Sequence, residues 1–185
     1  MSDSNDPRNN PIGGPIDQVG YLVGDIDAAV ERWHRLFGIA PWTIYRGTHL
    51  TGSYEGRDTE VTFDVALSYR GSVQIELIAL TGGGASPYSD ADGTHRKGIH
   101  HTAWVVNDCE AARQALERRG LVTAFVAGND AVDVAYLRSE DDPGAYFELI
   151  EGEGMREMID AGIAQAKDWR EGDPLIVADY PAGAS

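Results

Sequence analysis

Residues 16–33 read IDQVGYLVGDIDAAVERW, and residues 99–116 answer them with IHHTAWVVNDCEAARQAL. Each stretch opens on a run rich in Val, Ile and aromatic residues, as strands are, then passes an acidic residue into a helix-like run. A second pair follows in the same order. VQIELIAL (73–80) and AYFELIEG (145–152) share the tripeptide Glu-Leu-Ile. Two pairs in one order indicate a duplicated module, covering about 16–80 and 98–152.

Within the first module Asp25 is placed to cap a helix whose apolar Ile26, Ala29, Val30, Trp33 and Phe37 recur at helical spacing before Gly38 stops it. Asp108 plays the same part in the second module, where Gly120 closes the run. Strand-like segments follow at about 42–49, 60–69 and 72–80, and again at 121–127, 132–138 and 145–151. Arg70-Gly71 and Asp142-Pro143-Gly144 supply turns. Each module therefore reads as βαβββ, an α+β arrangement. The connection GTHLTGSYEGRD (47–58) in the first module is either a functional loop or a hairpin tip. Residues 153–170 hold a C-terminal helix with an apolar stripe through Met155, Met158, Ile159, Ile163 and Ala166, which packs on the body or on a second subunit. Residues 1–15 read as a disordered arm and 171–185 as a loose tail.

There are 15 Lys and Arg against 30 Asp and Glu among 185 residues, a formal charge of −15 spread along the chain. Phosphate binding needs a basic face, so neither nucleic acid nor an anionic membrane is an expected partner. Cys109, the only cysteine, excludes an intramolecular disulfide and a CxxC motif. No apolar run approaches the roughly 18 residues of a membrane span. A cytoplasmic protein acting on a small molecule fits these bounds.

Strand alternation turns the repeat into a candidate site, because residues two apart share a face. Gln18 shares one with Gly20 and Leu22, and His101 with Ala103 and Val105. Glu76 shares one with Gln74 and Ile78, and Glu148 with Tyr146 and Ile150. A carboxylate inside the strand runs IELI or FELI is costly unless something compensates it, and a cation is one such partner. Superposed modules put Gln18 on His101 and Glu76 on Glu148, so four ligand-capable side chains can meet. Singly, each has a plainer role: Gln18 as a hydrogen-bonded strand residue, His101 as a core histidine, the glutamates as partners of arginines. His100 points to the opposite face if the strand is regular.

On IDQVGYLVGDIDAAVERW, GIHHTAWVVND and the two ELI strands, over 16–152, the chain resembles the vicinal oxygen chelate superfamily, with glyoxalase I, methylmalonyl-CoA epimerase, extradiol dioxygenases and bleomycin-resistance proteins. The resemblance implies a cupped, barrel-like mixed sheet and is compatible with a homodimer. It implies metal ligation by Gln18, Glu76, His101 and Glu148, an order similar to that of eukaryotic glyoxalase I. Epimerases and many bacterial relatives have His in place of Gln18. The implied cofactor is one divalent metal: zinc, nickel, cobalt or manganese. An extradiol dioxygenase uses two His and one Glu for iron(II), so the amide at Gln18 shifts the reading away from it.

A metal chelating two substrate oxygens stabilises charge developing as an enolate forms. What remains is proton movement, for which Glu148 is the first candidate and Glu76 its partner on the opposite face. The expected activity is that of an isomerase, epimerase or lyase on an enolisable carbonyl compound. Extradiol cleavage, hydrolytic ring opening, and metal-free binding of a hydrophobic ligand are the competing readings. Trp42, Tyr45, Tyr54, Tyr69, Gln74 and Tyr146 are expected to line the substrate pocket.

Overall fold

The computed structural model describes residues 12–141 and 144–182. Most of the expected N-terminal arm, and Asp142 and Pro143 of the expected turn, lie outside the described residues. The first module runs β1 (Gln18–Leu22), α1 (Ile26–Phe37), β2 (Trp42–Tyr54), β3 (Arg57–Arg70) and β4 (Val73–Gly83). The second runs β5 (Gly98–Val105), α2 (Cys109–Glu117), β6 (Val122–Gly128), β7 (Asp133–Arg138) and β8 (Tyr146–Glu151). Then come α3 (Met155–Asp168) and β9 (Ile176–Tyr180). The duplicated βαβββ pattern read from the sequence is thus the pattern of the fold.

The strands lie in the order β3-β4-β1-β5-β8-β7-β6-β2, and β2 also pairs with β3, which closes the sheet into a mixed barrel-like cup. Register reproduces the repeat. β1 runs parallel to β4 with Gln18 opposite Gln74 and Gly20 opposite Glu76. β5 runs parallel to β8 with His101 opposite Tyr146 and Ala103 opposite Glu148. Where the modules meet, β1 and β5 are antiparallel, with Gln18 facing Ala103 and Gly20 facing His101.

Three apolar clusters hold this cup. Leu50, Phe63, Val65, Tyr88, Phe125 and Tyr136 belong to the inner one. Under α1, Ile26, Ala29 and Val30 pack against Trp42, Ile44, Ala66 and Leu77 on the outer face. Under α2, Cys109, Ala112 and Leu116 meet Ala135, Leu137 and Leu149. Both outer helices start where expected, with Asp25 accepting from Ala28 N and Asp108 from Ala111 N, each at 2.8 Å. No helix among the described residues is long and apolar enough to cross a membrane.

Two open alternatives are resolved and one expectation, the loose tail, changes. Residues 47–58 are continuous hairpin: β2 and β3 pair through Tyr54 and Arg57 about a two-residue turn, Glu55-Gly56, with φ of 49° and 75°. The tail contains β9, which pairs in parallel with β2 from Trp42 to Tyr45. It can do so because β6 covers β2 only from Thr51 to Tyr54, leaving the first half of that edge open. Helix α3 packs on the body, the first of its two expected placements. Gly162 of α3 lies so close to Tyr69 of β3 that a Cβ there would come within 2.0 Å of its ring, so the helix spans the inner face of the cup.

Candidate metal centre

At the seam of β1 and β5 the four expected ligands converge. His101 Nε2 lies 2.9 Å from Gln18 Oε1, 3.2 Å from Glu76 Oε2 and 3.0 Å from Glu148 Oε2. His101 is fully buried, and the Glu148 and Glu76 side chains are only 4% and 14% exposed. Room for the imidazole comes from Gly20, where a Cβ would stand 2.0 Å from His101 Cε1. Among the described residues Glu76, His101 and Glu148 are the group whose donor atoms could hold a metal ion, all within 4.8 Å of one another.

Protein hydrogen bonds alone do not satisfy this cluster. One ring N–H cannot serve three oxygens, and Glu148 Oε2 is buried without a hydrogen-bond partner. Donors each about 2.1 Å from one cation and about a right angle apart stand about 3.0 Å from each other, the spacing found here between the imidazole nitrogen and the oxygens. The donor set therefore fits a divalent metal. Without one, the charges act on each other. Burial pushes His101 down, but the carboxylates of Glu148 and Glu76 outweigh it and raise the imidazole to about 10. Burial raises the Glu76 carboxyl, an effect that His101 opposes and Glu148 reinforces.

Side chains behind the ligands orient them. Gln18 Nε2 donates to Gln74 Oε1 at 2.7 Å, which leaves Gln18 Oε1 facing the cluster. Gln74 Nε2 in turn donates to the Tyr69 hydroxyl at 2.7 Å. His100 was expected to point outward, and it does not. The β1–β5 register shifts between Gly20 and Tyr21, leaving His100 as a bulged residue that turns inward and is buried. Its Nδ1 lies 3.0 Å from His101 Nδ1 and its Nε2 3.1 Å from the Pro87 carbonyl. Burial, with the adjacent His101, holds its pKa well below the ordinary value.

Sequence reasoning missed Tyr88 and Tyr136 as well. Tyr88 comes from the connection between the modules and inserts beside His100, stacked at 5.1 Å, and its hydroxyl donates to that of Tyr136 at 3.0 Å. Burial raises both phenols far above their usual value, and Glu148 raises them further. Nothing in the periodicity marks Tyr88, because it lies between repeated units. For His100, the doublet beside Gly98 was the available signal.

The expected pocket residues separate. Tyr45 and Tyr69 line a cavity of about 290 Å³ on the inner face, with Thr43 and Leu67 of the sheet and Met158 and Gly162 of α3. Leu67 pairs with Glu76 and Tyr69 with Gln74, so the cavity adjoins the centre. Gln74 contributes through Gln18 and Tyr69. Tyr54 and Tyr146 pack against the inner core. Trp42 is a correction: it is fully buried under α1, its indole N–H donating to Ile39 O at 2.9 Å, because alternation along β2 turns it to the outer face.

A family model described as the Glyoxalase/Bleomycin resistance protein/Dioxygenase superfamily matches residues 17–136. Among solved structures, methylmalonyl-CoA epimerase from Mycobacterium tuberculosis is 21% identical with a TM-score of 0.51, the match covering 81% of this chain and 95% of that one. A protein from Bacillus halodurans described as hypothetical is 19% identical with a TM-score of 0.46, covering 75% and 94%. A variant of Streptomyces coelicolor methylmalonyl-CoA epimerase in complex with 2-nitronate-propionyl-CoA is 18% identical with a TM-score of 0.44, covering 75% and 94%. No curated protein matches. At such identities the Mycobacterium tuberculosis structure shows a shared fold and no more. The family match spans well over half of the chain, and the duplicated βαβββ cup is the matching architecture: the chain belongs to the vicinal oxygen chelate, or glyoxalase/bleomycin resistance/dioxygenase, superfamily.

Proposed function

We propose that the chain is a divalent-metal-dependent isomerase, epimerase or lyase that moves a proton on an enolisable carbonyl compound bound in the cavity beneath α3. One observation carries this reading: three side-chain oxygens crowd a single buried imidazole nitrogen, and Glu148 Oε2 among them has no hydrogen-bond partner. Gln18, Glu76, His101 and Glu148 would hold the ion, drawn from zinc, nickel, cobalt or manganese, all compatible with one imidazole among oxygen donors. Such a cation supplies Lewis-acid stabilisation of charge developing on a substrate oxygen.

The chain's own groups supply the rest. Glu148 and Glu76 stand on opposite sides of the β1–β5 seam, one to take a proton from carbon and the other to return it. Glu76, more open and next to Leu67 of the cavity wall, reaches substrate most readily. Tyr88, Phe125 and Tyr136 close the far side with aromatic surface and exclude water. The methylmalonyl-CoA epimerases of similar fold support proton transfer as the class. The cation-holding donor set has one imidazole, and both nitrogens of His100 are engaged elsewhere, which disfavours the two-histidine dioxygenase site.

The test is metal analysis of purified untagged protein, followed by incubation of the loaded protein in deuterated water with 2-substituted acyl thioesters and α-hydroxy ketones. One metal per chain and deuterium incorporation at the carbon beside the carbonyl are expected. Failure of added zinc, nickel, cobalt and manganese to bind would remove the proposal. Oxygen consumption with catechols would replace it by ring cleavage.

A further inference from the structure

His100 is 3% exposed, stacked on Tyr88 and packed against the tilted rings of Tyr136 and Tyr146, and it meets the four-ligand cluster only through His101. Its two nitrogens nevertheless determine what His101 can do. The Pro87 carbonyl has no hydrogen to give, so at 3.1 Å it accepts from His100 Nε2–H. The contact of 3.0 Å between His100 Nδ1 and His101 Nδ1 holds one hydrogen, which belongs to one ring or the other. If His100 carried it, a neutral His101 would bear its own hydrogen on Nε2 and could not be a ligand. With the hydrogen on His101 Nδ1, its Nε2 lone pair points at Gln18, Glu76 and Glu148.

We infer that His100 is a positioning residue that, anchored on the Pro87 carbonyl, accepts the Nδ1–H of His101 and thereby fixes the tautomer and ring angle of the one imidazole ligand. This rests on the metal-centre reading above. It also gives the bulge in β5 a purpose, since a regular strand would turn His100 to the outer face. The connection between the modules, which supplies Pro87 and Tyr88, thus becomes part of the apparatus behind the metal.

Calorimetric titration with zinc and nitrogen NMR test the inference together. His100→Phe keeps an aromatic ring against Tyr88 but removes the acceptor, and zinc affinity is expected to fall about 10- to 100-fold. His100→Asn restores an acceptor oxygen near the Nδ1 position and is expected to return most of that loss. In zinc-loaded wild-type protein, His100 should show a protonated Nε2 and an unprotonated Nδ1, a readout that needs no variant to fold. A folded His100→Phe protein binding zinc as tightly as wild type, or the reverse assignment of hydrogens on His100, overturns the inference and leaves the metal centre standing. Absence of zinc binding by wild type removes the metal centre itself.

Discussion

At the scale of single residues, the centre depends on one missing atom. Gly20 opposes His101 across the antiparallel seam, and any side chain there drives into the imidazole. Gly20→Ala should displace His101, abolish tight zinc binding and destabilise the protein by about 1–3 kcal/mol, read by titration and by denaturant melts. Glu148→Gln is the gentler probe, since it keeps the shape and removes the charge. It should leave the fold intact while weakening divalent-metal affinity and abolishing carbon–deuterium exchange, and a variant with undiminished exchange would show that Glu148 is no proton carrier. The convergence of Gln18, His101 and the two glutamates was readable in the sequence because each sits at a matched position of a repeat. His100 and Trp42 were not. A bulge breaks the two-residue period on which the facing of His100 was argued, and Trp42 belongs to the outer face of a strand whose two faces are both buried.

At the scale of elements, side-chain contacts reinforce the pairing of β9 with β2 that ties down the C-terminal segment. Arg46 of β2 donates to Asp179 of β9 at 2.9 Å and to Asp27 of α1 at 2.7 Å, and Tyr45 stacks on Tyr180 at 5.1 Å. Arg46→Ala should speed amide hydrogen exchange in 176–180 selectively, with a global stability loss below about 1 kcal/mol because the pairs are exposed. Hydrogen bonding to Arg46 holds both Asp27 and Asp179 below the usual carboxylate value. Groups with depressed pKa stabilise the fold above their ordinary value and lose that contribution as pH falls through the depressed one. Exchange protection of β9 in the wild type should therefore drop on acidification below the ordinary Asp range, and Arg46→Ala should show no such step. Helix α3 is held differently, by close packing. Gly162→Ala should push the helix off Tyr69, loosen the Tyr69–Gln74 hydrogen bond and lower the melting temperature. β9 was illegible in the sequence because its partner is an edge that exists only once β6 has stopped short along β2. The 47–58 hairpin was half legible, since its Gly-rich composition suits a loop and a tight turn equally.

At the scale of the whole molecule, duplication explains the site. Two modules meet along β1 and β5, and each delivers one candidate ligand from its first strand and one carboxylate from its last. A charge of −15 over 185 residues is unfavourable for a buried carboxylate pair, and the proposed cation would offset that cost together with His101. Binding should then raise the melting temperature with metal concentration, as for any ligand taken up by the folded state alone. The most direct measurement is a crystal grown with zinc and analysed by anomalous scattering at the zinc edge. The expected result is one strong peak per chain, bounded by Gln18 Oε1, Glu76 Oε2, His101 Nε2 and Glu148 Oε2. A seam free of zinc, with His101 still hydrogen-bonded to Gln18 and any peaks confined to the acidic surface, would contradict the assignment.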